Sequence, residues 1–440
     1  MSERVVITGM GWVTPLGSDV EGVWKRLLKG ESGIGPVTHF DASTCSTNFA
    51  SEVKDFRLAD FVDDAPAHQM ASIGTHYALA AAATAWRQSG LTDKINRRRF
   101  GVYLGSGEGQ LDYTNFLAAN LTGWNAEKKS VEGHRWAERA LATMTAVREV
   151  EQEPNLAMSH VAAEFGCRGP SFNCMTACAA STQAIGEAFE IIRHGDADVM
   201  FAGGSHSMIH LLGMTGFMRL TAMSQRRDTP QTAARPFDQT RDGFVMGEGA
   251  GMIILESLSH AKKRGAKVLA ELAGYGSTAD AFRITDIQPD GRGAAGAMMQ
   301  ALRQAGISPR ETGPDGRPPV QYISAHGTGT KENDKIETAA VKAVFGPLAP
   351  RVPFSSVKSM LGHLIQAAGA VELMTCIKAI ETGIVPPTMN LKTPDPVCDL
   401  DYVPNAPRDL TAEGGVDACL SNSFGFGGQN DTIVVRRFRG

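Results

Sequence analysis

Several features that would place a chain of 440 residues in a common class are scarce or absent here. No apolar run reaches the roughly 20 residues that a membrane-spanning helix needs, so we expect no membrane span. Lys and Arg total 43 against 47 Asp and Glu, so the basic excess of a general nucleic-acid binder is missing. The 7 cysteines show no paired spacing, which favours reduced thiols in a cytoplasmic protein over a disulfide framework.

Leader and nucleotide-binding signals are missing as well. The N-terminal residues enter a strand pattern at once, so we expect no signal or transit peptide. Gly9 and Gly11 form half of a dinucleotide-binding fingerprint, but Thr14 stands where its third glycine would be, and the other glycine-rich turns lack the ending of a phosphate loop. The composition, 42% hydrophobic and 20% charged, predicts instead a globular protein with a well-buried core.

Strand-like and helix-like segments alternate along the chain, which predicts a mostly parallel sheet covered by helices. In the first part we expect strands at 4–8, 100–104 and 197–202, and helices at 20–28, 76–86 and 178–194. A second copy of the pattern has strands at 267–275, 320–324, 352–356 and 419–423, and helices at 294–305 and 362–381. We therefore predict two related α/β halves, residues 1–258 and 259–440, with a helical excursion at about 121–154 on the surface or at a subunit interface.

Cys178, in the segment FNCMTACAAST, is the candidate nucleophile. A helix is expected to begin at this cysteine directly after a strand, which is the arrangement of a nucleophile elbow, and the positive end of a helix favours a thiolate. A lone cysteine is more often a buried structural residue, but the small neighbours Ala177, Ala179 and Ala180 leave room for a substrate. Cys174, four residues earlier, is assigned a structural role within the strand.

Two histidines also follow predicted strands and small-residue turns, so both could face the same end of the sheet. His326 lies in SAHGTGT, and His363 lies in KSMLGHLIQAAGA, just inside a predicted helix start. Each alone is more often a structural residue, but together with Cys178 they form the Cys-His-His set of a cysteine hydrolase or an acyl transferase. The hydrolase interpretation lacks an Asn or Asp that would orient either imidazole.

Lys358 opens the segment that contains His363, and a lysine at a helix start is opposed by the helix dipole. It is either exposed to solvent or a buried cation. A buried cation would pair with Glu372, or with Asp334 and Glu337, and would then tune the electrostatics of the histidines.

Seven segments, in order along nearly the whole chain, resemble the β-ketoacyl-[acyl-carrier-protein] synthases, the condensing enzymes of the thiolase superfamily, and in particular the free-standing synthase II type. They are VVITGMGWVTPLG, TACAAS, GDADVMFAGG, RPFDQTRDGFVMGEGAGMIILE, SAHGTGTKENDKIE, KSMLGHLIQAAGAVE and NSFGFGGQN. The resemblance implies a five-layered αβαβα fold with a mixed five-stranded sheet in each half, and a dimeric enzyme. It implies no metal and no tightly bound cofactor, because the phosphopantetheine belongs to the partner, an acyl carrier protein.

The resemblance also implies a decarboxylative Claisen condensation of acyl and malonyl thioesters. Cys178 would accept an acyl group from the carrier, and His326 and His363 would stabilise the enolate oxygen formed when malonyl-carrier loses CO₂. The backbone N–H groups of Cys178 and Phe426 would form the oxyanion hole, and Phe426 would also act as the gate to the acyl pocket.

Supporting residues follow from the same resemblance. Lys358 and Glu372 would be a buried pair behind the histidines, and Thr328 and Thr330 would contact the pantetheine arm.

Glu108 departs from the family pattern. It stands where the family usually has an apolar residue at the end of the acyl pocket, and a carboxylate is costly to bury unpaired. It either turns to solvent or to an arginine such as Arg139, or it adapts the pocket to short, polar or unsaturated chains.

Two further departures concern the carrier and the loops. The family often docks its acidic carrier on Lys and Arg where this chain has the acidic segment 63–70, which leaves two basic clusters as candidates. These clusters are Arg226 with Arg227, and Lys262, Lys263 and Arg264. Arg283 stands where a histidine is common, and the sequence offers no explanation for it.

The leading interpretation is a condensing enzyme of fatty-acid synthesis or a related pathway. The alternative is a polyketide or polyene ketosynthase that acts with a partner subunit, so the dimer is either a homodimer or a heterodimer. A non-catalytic chain-length partner would lack the nucleophile. A thiolase would use a second cysteine near the C-terminus, and Cys419, five residues before FGFGG, is the candidate for that role.

Overall fold

The computed structural model of the protein describes residues 3–107 and 111–440. The strands in these ranges are β1 (Val5–Val13), β2 (Gly35–Pro36), β3 (Phe49–Ala50), β4 (Phe100–Gly105), β5 (Trp124–Asn125), β6 (Ser130–Val131), β7 (Ser171–Cys174), β8 (Val199–His206), β9 (Gly249–Ser257), β10 (Ala270–Ala279), β11 (Tyr322–Ser324), β12 (Phe354–Ser355), β13 (Ile384–Val385), β14 (Arg408–Asp409), β15 (Ala418–Gly425) and β16 (Gln429–Arg436). The α-helices are α1 (Val20–Leu28), α2 (Ile73–Ser89), α3 (Tyr113–Gly123), α4 (Gly133–Thr143), α5 (Ala146–Val150), α6 (Leu156–Phe165), α7 (Ala180–Arg193), α8 (Leu211–Arg219), α9 (Leu258–Arg264), α10 (Arg292–Gln304), α11 (Lys331–Phe345), α12 (Lys358–Leu361) and α13 (Ala368–Thr382). Glu108 lies outside the described residues, so its role stays a prediction.

Ten strands form one mixed sheet in the order β12-β11-β15-β16-β10-β1-β9-β8-β4-β7. The strands of this sheet up to Ser257 are β1, β4, β7, β8 and β9, and side by side they lie in the order β1, β9, β8, β4, β7. The five from Ala270 onward lie in the corresponding order β10, β16, β15, β11, β12. Counted outward from the first strand, two antiparallel pairs and then two parallel pairs follow in each set. The mixed five-stranded sheet implied by the resemblance is therefore confirmed for each set, whereas the mostly parallel sheet expected from the alternation of segments is not. The antiparallel pair β1–β10 makes the two sheets continuous.

The helices form layers around these strands. In the largest apolar cluster, α7 and α13 pack against strands of both five-stranded sets. α13 is buried from Ala368 to Ile380. A second cluster packs α2 against β1, β9 and β8, and a third packs α10 and α11 against the strands of the other set. A helix without a polar face must lie between other layers, which explains the central position of α13.

The predicted helix at 362–381 begins later than expected. Gly362, at φ +68° and ψ −177°, ends the short helix α12, and Ile365 has φ +45°. Because α13 begins only at Ala368, His363 lies in the irregular link between two helices and not inside a helix start. The backbone conformation of the glycine interrupts the helix, and sequence periodicity does not report it.

The stretch at 121–154 contains the end of α3, the hairpin β5–β6, α4 and α5. Several of its apolar side chains face outward, among them Leu121 at 68% exposure and Leu141 at 87%. In the described part of the chain, no helix is both long enough and apolar enough to cross a bilayer.

Candidate active site

The loop after β7 presents Cys178 at the start of α7. Cys178 lies in a 3₁₀ turn, Ala177–Ala179, that leads directly into the helix. Ala177 has φ +49°, a left-handed conformation that is uncommon for a residue with a β-carbon. A β-carbon on Gly425 would lie 2.9 Å from the Thr176 carbonyl oxygen and 3.2 Å from the Cys178 nitrogen. Only glycine therefore lets the turn after β15 approach the cysteine this closely.

The backbone at His326 is fixed by a buried carboxylate. The N–H groups of His326 and Gly327 each donate to one oxygen of Glu337, both at 2.8 Å. Asn422 Nδ2 donates to the same carboxylate at 3.2 Å. Glu337 comes from α11, so this helix sets the position of the imidazole that follows β11. The considered pairing of Glu337 with Lys358 is wrong, because the oxygens of Glu337 are used by these groups.

His363 is held through its backbone and through one ring nitrogen. Its N–H donates to the Val245 carbonyl oxygen at 2.7 Å, and its own carbonyl oxygen accepts from the Gly247 N–H at 2.9 Å. The Ile365 N–H donates to His363 Nδ1 at 3.2 Å, so the neutral ring carries its proton on Nε2. Nε2 is buried and has no hydrogen-bond partner among the described residues, which leaves its N–H available to a substrate.

Cys178, His326 and His363 converge. The sulfur and one nitrogen of each ring lie within 4.8 Å of one another, and the two imidazole centroids are 5.4 Å apart at an interplanar angle of 82°. All three line a cavity of about 700 Å³ that opens to the surface and is also lined by Thr328 and Phe426. The three atoms could also hold a zinc ion, which would require the thiolate form of the cysteine.

Lys358 is a buried cation behind these three residues. Its Nζ donates to the His326 carbonyl oxygen at 2.6 Å and forms an ion pair with Glu372. Asp334 pairs instead with Arg241, 3.6 Å away. Of the two pairings left open by the sequence, the structure therefore has the one with Glu372.

The environment of Cys178 opposes ionisation of the thiol. Burial raises the pKa of Cys178 to about 12, while the positive charge of Lys358 lowers this pKa and the negative charge of Glu372 raises it. The backbone N–H groups of Cys178 and Phe426 also reach the sulfur and favour the thiolate. The expectation that the helix start would make Cys178 a thiolate is not met, because the cost of burying the charge exceeds the gain from the dipole.

Both histidines are neutral at ordinary pH. Burial, and after it the charge of Lys358, holds the pKa of His326 and the pKa of His363 well below the usual range. Burial raises the pKa of Glu372 to about 7, against the opposing charge of Lys358. A neutral imidazole can donate a hydrogen bond without carrying a charge, which suits the stabilisation of an oxygen that becomes negative during a reaction.

Thr328 and Thr330 line the cavity, as expected of residues that contact the substrate arm, and their hydroxyl oxygens are 3.0 Å apart. Cys174 and Cys419 lie elsewhere, and both donate to backbone oxygens. Cys419 is therefore not placed to act as the second cysteine of a thiolase.

The two basic clusters are partly engaged within the chain. Arg227 donates to the Ser43 carbonyl oxygen at 3.1 Å, and Arg264 forms an ion pair with Glu256 at 2.7 Å. Neither contact tests the docking of a carrier, so this role stays a prediction.

Two features of the site were missed by sequence reasoning. The first is the role of Glu337 as the anchor of the His326 backbone, which depends on a contact between a turn and the following helix. The second is that Phe282, Arg283 and Asp286, in the loop after β10, line the mouth of the cavity. The sequence shows that Arg283 replaces a histidine that is common in the family, but no sequence pattern places Arg283 at the cavity.

Comparisons with known proteins agree with this arrangement. The beta-ketoacyl synthase N-terminal domain matches residues 2–261, and the beta-ketoacyl synthase C-terminal domain matches residues 269–392. The curated 3-oxoacyl-[acyl-carrier-protein] synthase 2 proteins of Synechocystis sp. and of Coxiella burnetii are each 40% identical to this chain, over 99% of its length and over 99% and 98% of theirs.

Solved structures show the same similarity. A beta-ketoacyl synthase from Burkholderia phymatum has a TM-score of 0.86 and 32% identity, over 99% of this chain and 100% of that one. A type II polyketide ketosynthase solved in complex with its acyl-carrier protein has a TM-score of 0.84 and 34% identity, with 100% of both chains covered. The thiolase-like fold and these relatives define a condensing enzyme of the acyltransferase class. The chain belongs to the beta-ketoacyl synthase family.

Proposed function

We propose that this protein is an active β-ketoacyl-[acyl-carrier-protein] synthase in which Cys178 is the nucleophile and His326 and His363 are hydrogen-bond donors to the enolate oxygen. The observation that carries the proposal is the convergence of one thiol and two neutral imidazoles, within 4.8 Å, in an open cavity. The full-length similarity to curated 3-oxoacyl-[acyl-carrier-protein] synthase 2 proteins supports a role in fatty-acid synthesis.

The first half-reaction is acyl transfer. The Cys178 sulfur loses its proton and attacks the carbonyl carbon of an acyl-pantetheine thioester, whose oxygen becomes negative and accepts from the N–H groups of Cys178 and Phe426. The tetrahedral intermediate expels the pantetheine thiolate, which takes up the proton that Cys178 lost and leaves with the carrier as the free thiol. An acyl thioester remains on Cys178.

The second half-reaction is condensation. Malonyl-carrier loses CO₂, and the enolate oxygen that forms accepts hydrogen bonds from the imidazole N–H groups of His326 and His363. The enolate carbon then attacks the acyl carbon on Cys178, the carbon–sulfur bond breaks, and the Cys178 thiolate takes up one proton. The product is an extended β-ketoacyl thioester on the carrier.

The surrounding residues act on this chemistry indirectly. The positive charge of Lys358, which Glu372 holds in place, lowers the pKa of both histidines and of Cys178. It therefore favours neutral imidazoles and makes the thiolate easier to form. Thr328 and Thr330 contact the pantetheine arm. The enzyme needs no tightly bound cofactor of its own, because the phosphopantetheine arrives on the carrier.

Subunit association and location follow from the same assignment. The chain acts in the cytoplasm as a dimer, with the exposed apolar side chains between α3 and β7 at the interface. It divides into the halves 1–258 and 259–440, a division that the repeated strand order supports.

A polyketide ketosynthase is the second candidate. A solved relative of 34% identity is described as the ishigamide ketosynthase/chain length factor, a combination of a ketosynthase with a second protein. If this chain works in the same way, its partner is a related subunit, and its acyl chains carry polyketide oxygens or double bonds.

Intact-protein mass spectrometry with acyl-loaded carriers tests the proposal. Wild type is expected to gain one acyl group, and addition of malonyl-carrier should discharge it as a β-ketoacyl product. Cys178→Ala should gain no acyl group, whereas the matched control Cys174→Ala should behave as wild type. His363→Ala should still be acylated but should fail to condense.

The outcomes separate the candidates. Acylation of the purified single chain by saturated carriers supports the fatty-acid role. Acylation that requires a second synthase-like subunit, or that prefers unsaturated or oxygen-bearing chains, supports the polyketide role. An acyl adduct on Cys178→Ala, or none on wild type with any donor or partner, refutes the proposal.

A further inference from the structure

The loop between β10 and α10 forms one side of the mouth of the catalytic cavity. At its base the buried Asp280 accepts from Asn430 Nδ2 at 2.8 Å and from the Gln288 N–H at 2.9 Å. Further along the loop, the Ile284 carbonyl oxygen accepts from the Gly427 N–H at 2.7 Å. These contacts hold the loop against the glycine-rich turn that contributes Phe426 to the site.

Arg283, on this loop, faces the mouth with its charge only loosely engaged. Its guanidinium lies 5.2 Å from the centre of the Phe282 ring and pairs with Asp286 at 3.0 Å. The side chains of Arg283 and Asp286 are 68% and 54% exposed. An ion pair so exposed contributes little to stability, so a stronger anion can replace the carboxylate.

The charges around the cavity make this arginine distinctive. Among the described residues that line the cavity, the Lys and Arg side chains are Arg283 and Lys331, and the carboxylates are Asp242, Asp286 and Glu332. Carboxylates outnumber cations in this lining by one, so an anion is stabilised only close to Arg283 or Lys331. A guanidinium suits a phosphate particularly well, because its planar N–H groups can donate to two oxygens at once.

We propose that Arg283 binds the phosphate of the phosphopantetheine arm and thereby selects arms that carry this group. The inference rests on the proposed function, in which the thioester at one end of the arm must reach Cys178 inside the cavity. The phosphate is at the other end of the arm and therefore lies at the mouth. There the Arg283 guanidinium releases the Asp286 carboxylate and binds the phosphate. Arg283 is a binding residue and takes no part in bond making.

Two donors that differ only in the phosphate test the inference directly. Acyl-pantetheine and acyl-4′-phosphopantetheine carry the same thioester, and the rate of Cys178 acylation by each is measured by intact mass. Wild type should prefer the phosphorylated donor. Arg283→Gln should lose roughly 10-fold in kcat/KM for that donor, mostly through KM, because it loses a charge-assisted hydrogen bond. Its rate with acyl-pantetheine should match that of wild type, and Arg283→Lys should recover part of the preference.

Arg292→Gln is the matched control. Arg292 is an arginine of similar exposure, 71%, whose guanidinium is 3.8 Å from Asp290, and it lies outside the cavity lining. Its replacement should leave the phosphate preference intact. Carrier-bound donors should repeat the pattern seen with the free phosphorylated arm.

Three results would overturn the role of Arg283 while leaving the proposed function standing. In the first, both donors acylate wild type at the same rate. In the second, Arg283→Gln slows acylation by both donors to the same extent. In the third, Lys331→Gln loses the preference for the phosphorylated donor and Arg283→Gln keeps it. Failure of wild-type Cys178 to be acylated by either donor or by any loaded carrier would refute the proposed function itself.

Discussion

Two opposing influences act on the thiol of Cys178. Burial raises its pKa to about 12, and the Lys358 ammonium group opposes this rise. Because the thiolate is the reactive form, the rate of Cys178 alkylation by iodoacetamide should rise about 10-fold per pH unit from about pH 7 to 9, without a plateau. Peptide mass spectrometry, which follows Cys178 separately from the other cysteines, measures this rate.

Lys358→Met provides the comparison variant. Removal of the cation should slow the alkylation of Cys178 throughout this pH range, in protein that circular dichroism shows to be folded. A plateau below about pH 8 in wild type would mean that the thiol ionises far more readily than its burial implies.

Glu337 is the residue whose replacement should disturb His326 without touching Cys178. Its two oxygens accept from the N–H groups of His326 and Gly327, and a glutamine can accept through only one oxygen. Glu337→Gln should leave a buried donor unsatisfied, at a cost of about 1–3 kcal/mol. Single-turnover assays should show condensation slowed about 10-fold, with acylation of Cys178 near the wild-type rate. Equal slowing of the two half-reactions would contradict this assignment.

At the residue scale, the sequence identified the reactive groups better than their surroundings. Cys178, His326, His363 and the Lys358–Glu372 pair all meet in the structure, because their motifs include the turns that place them. The ionisation of Cys178 and the anchoring by Glu337 could not be predicted, since burial and contacts between separate segments determine both.

At the scale of elements, a series of four side chains fastens α6 to the body of the protein. His68 Nδ1 and His160 Nδ1 are 2.8 Å apart, His68 Nε2 is 3.0 Å from Glu164, and His160 Nε2 is 3.0 Å from Glu151. All three distances are within the range of hydrogen bonds, so the two imidazoles and the two carboxylates form one continuous series.

Loss of this fastening should loosen the segment before β7. His160→Ala leaves both His68 Nδ1 and Glu151 without this partner, and should lower the free energy of unfolding by roughly 2 kcal/mol or more. Denaturant unfolding measures the change, and limited proteolysis should cut first within 113–165. The exposed His134→Ala is the control, and an equal effect of the two variants would argue against the fastening role.

Two buried histidines and one half-buried histidine should make stability depend on pH. Burial lowers the pKa of His76, of His326 and of His363. Below about pH 6.5 the unfolded chain binds protons that these histidines exclude in the folded protein, so their contribution to stability is fully present above this pH and is lost as the pH drops. Buried carboxyls whose pKa is raised, such as Glu372 at about 7, contribute in the opposite direction. The melting temperature of His76→Gln should therefore fall less, or rise more, than that of wild type between about pH 7 and 5.5. Equal slopes in the two proteins would exclude this account.

The order and type of the central elements could be predicted from the sequence because apolar runs and glycine stops mark them. α1 has the predicted bounds, and the strands near residues 100 and 420 lie where they were expected. β9 and β16 were not predicted, although each contains an apolar run rich in β-branched residues that is a strand signal in itself. The start of α13 was predicted too early, because the conformation of Gly362 is set by packing around His363.

At the scale of the whole molecule, apolar side chains remain exposed both on the edge strand β7 and in the stretch that precedes it. β7 is the last strand on that side among the described residues, and its Phe172 is 48% exposed. Leu141 on α4 is 87% exposed. Patches of this kind next to a free strand edge are typical of subunit interfaces.

Charges placed at these two residues should therefore weaken the proposed dimer. Leu141→Glu combined with Phe172→Glu should shift the mass measured by light scattering from dimer toward monomer at micromolar concentration. Val397→Glu, at an apolar residue that is 52% exposed on the other half, should leave the mass unchanged. A dimer that persists in the double variant, or a monomeric wild type, would place the interface elsewhere or remove it.

The proposed catalytic residues are divided between the two five-stranded sets. β7, the third strand of its set, leads to Cys178 and α7, whereas β12, the third strand of the other set, leads to His363 and α13. Neither set alone contains a nucleophile together with its hydrogen-bond donors. Two fragments expressed separately, divided between β9 and β10, should each lack condensing activity. Activity should return only when the fragments reassemble, so the enzyme could serve as a split reporter.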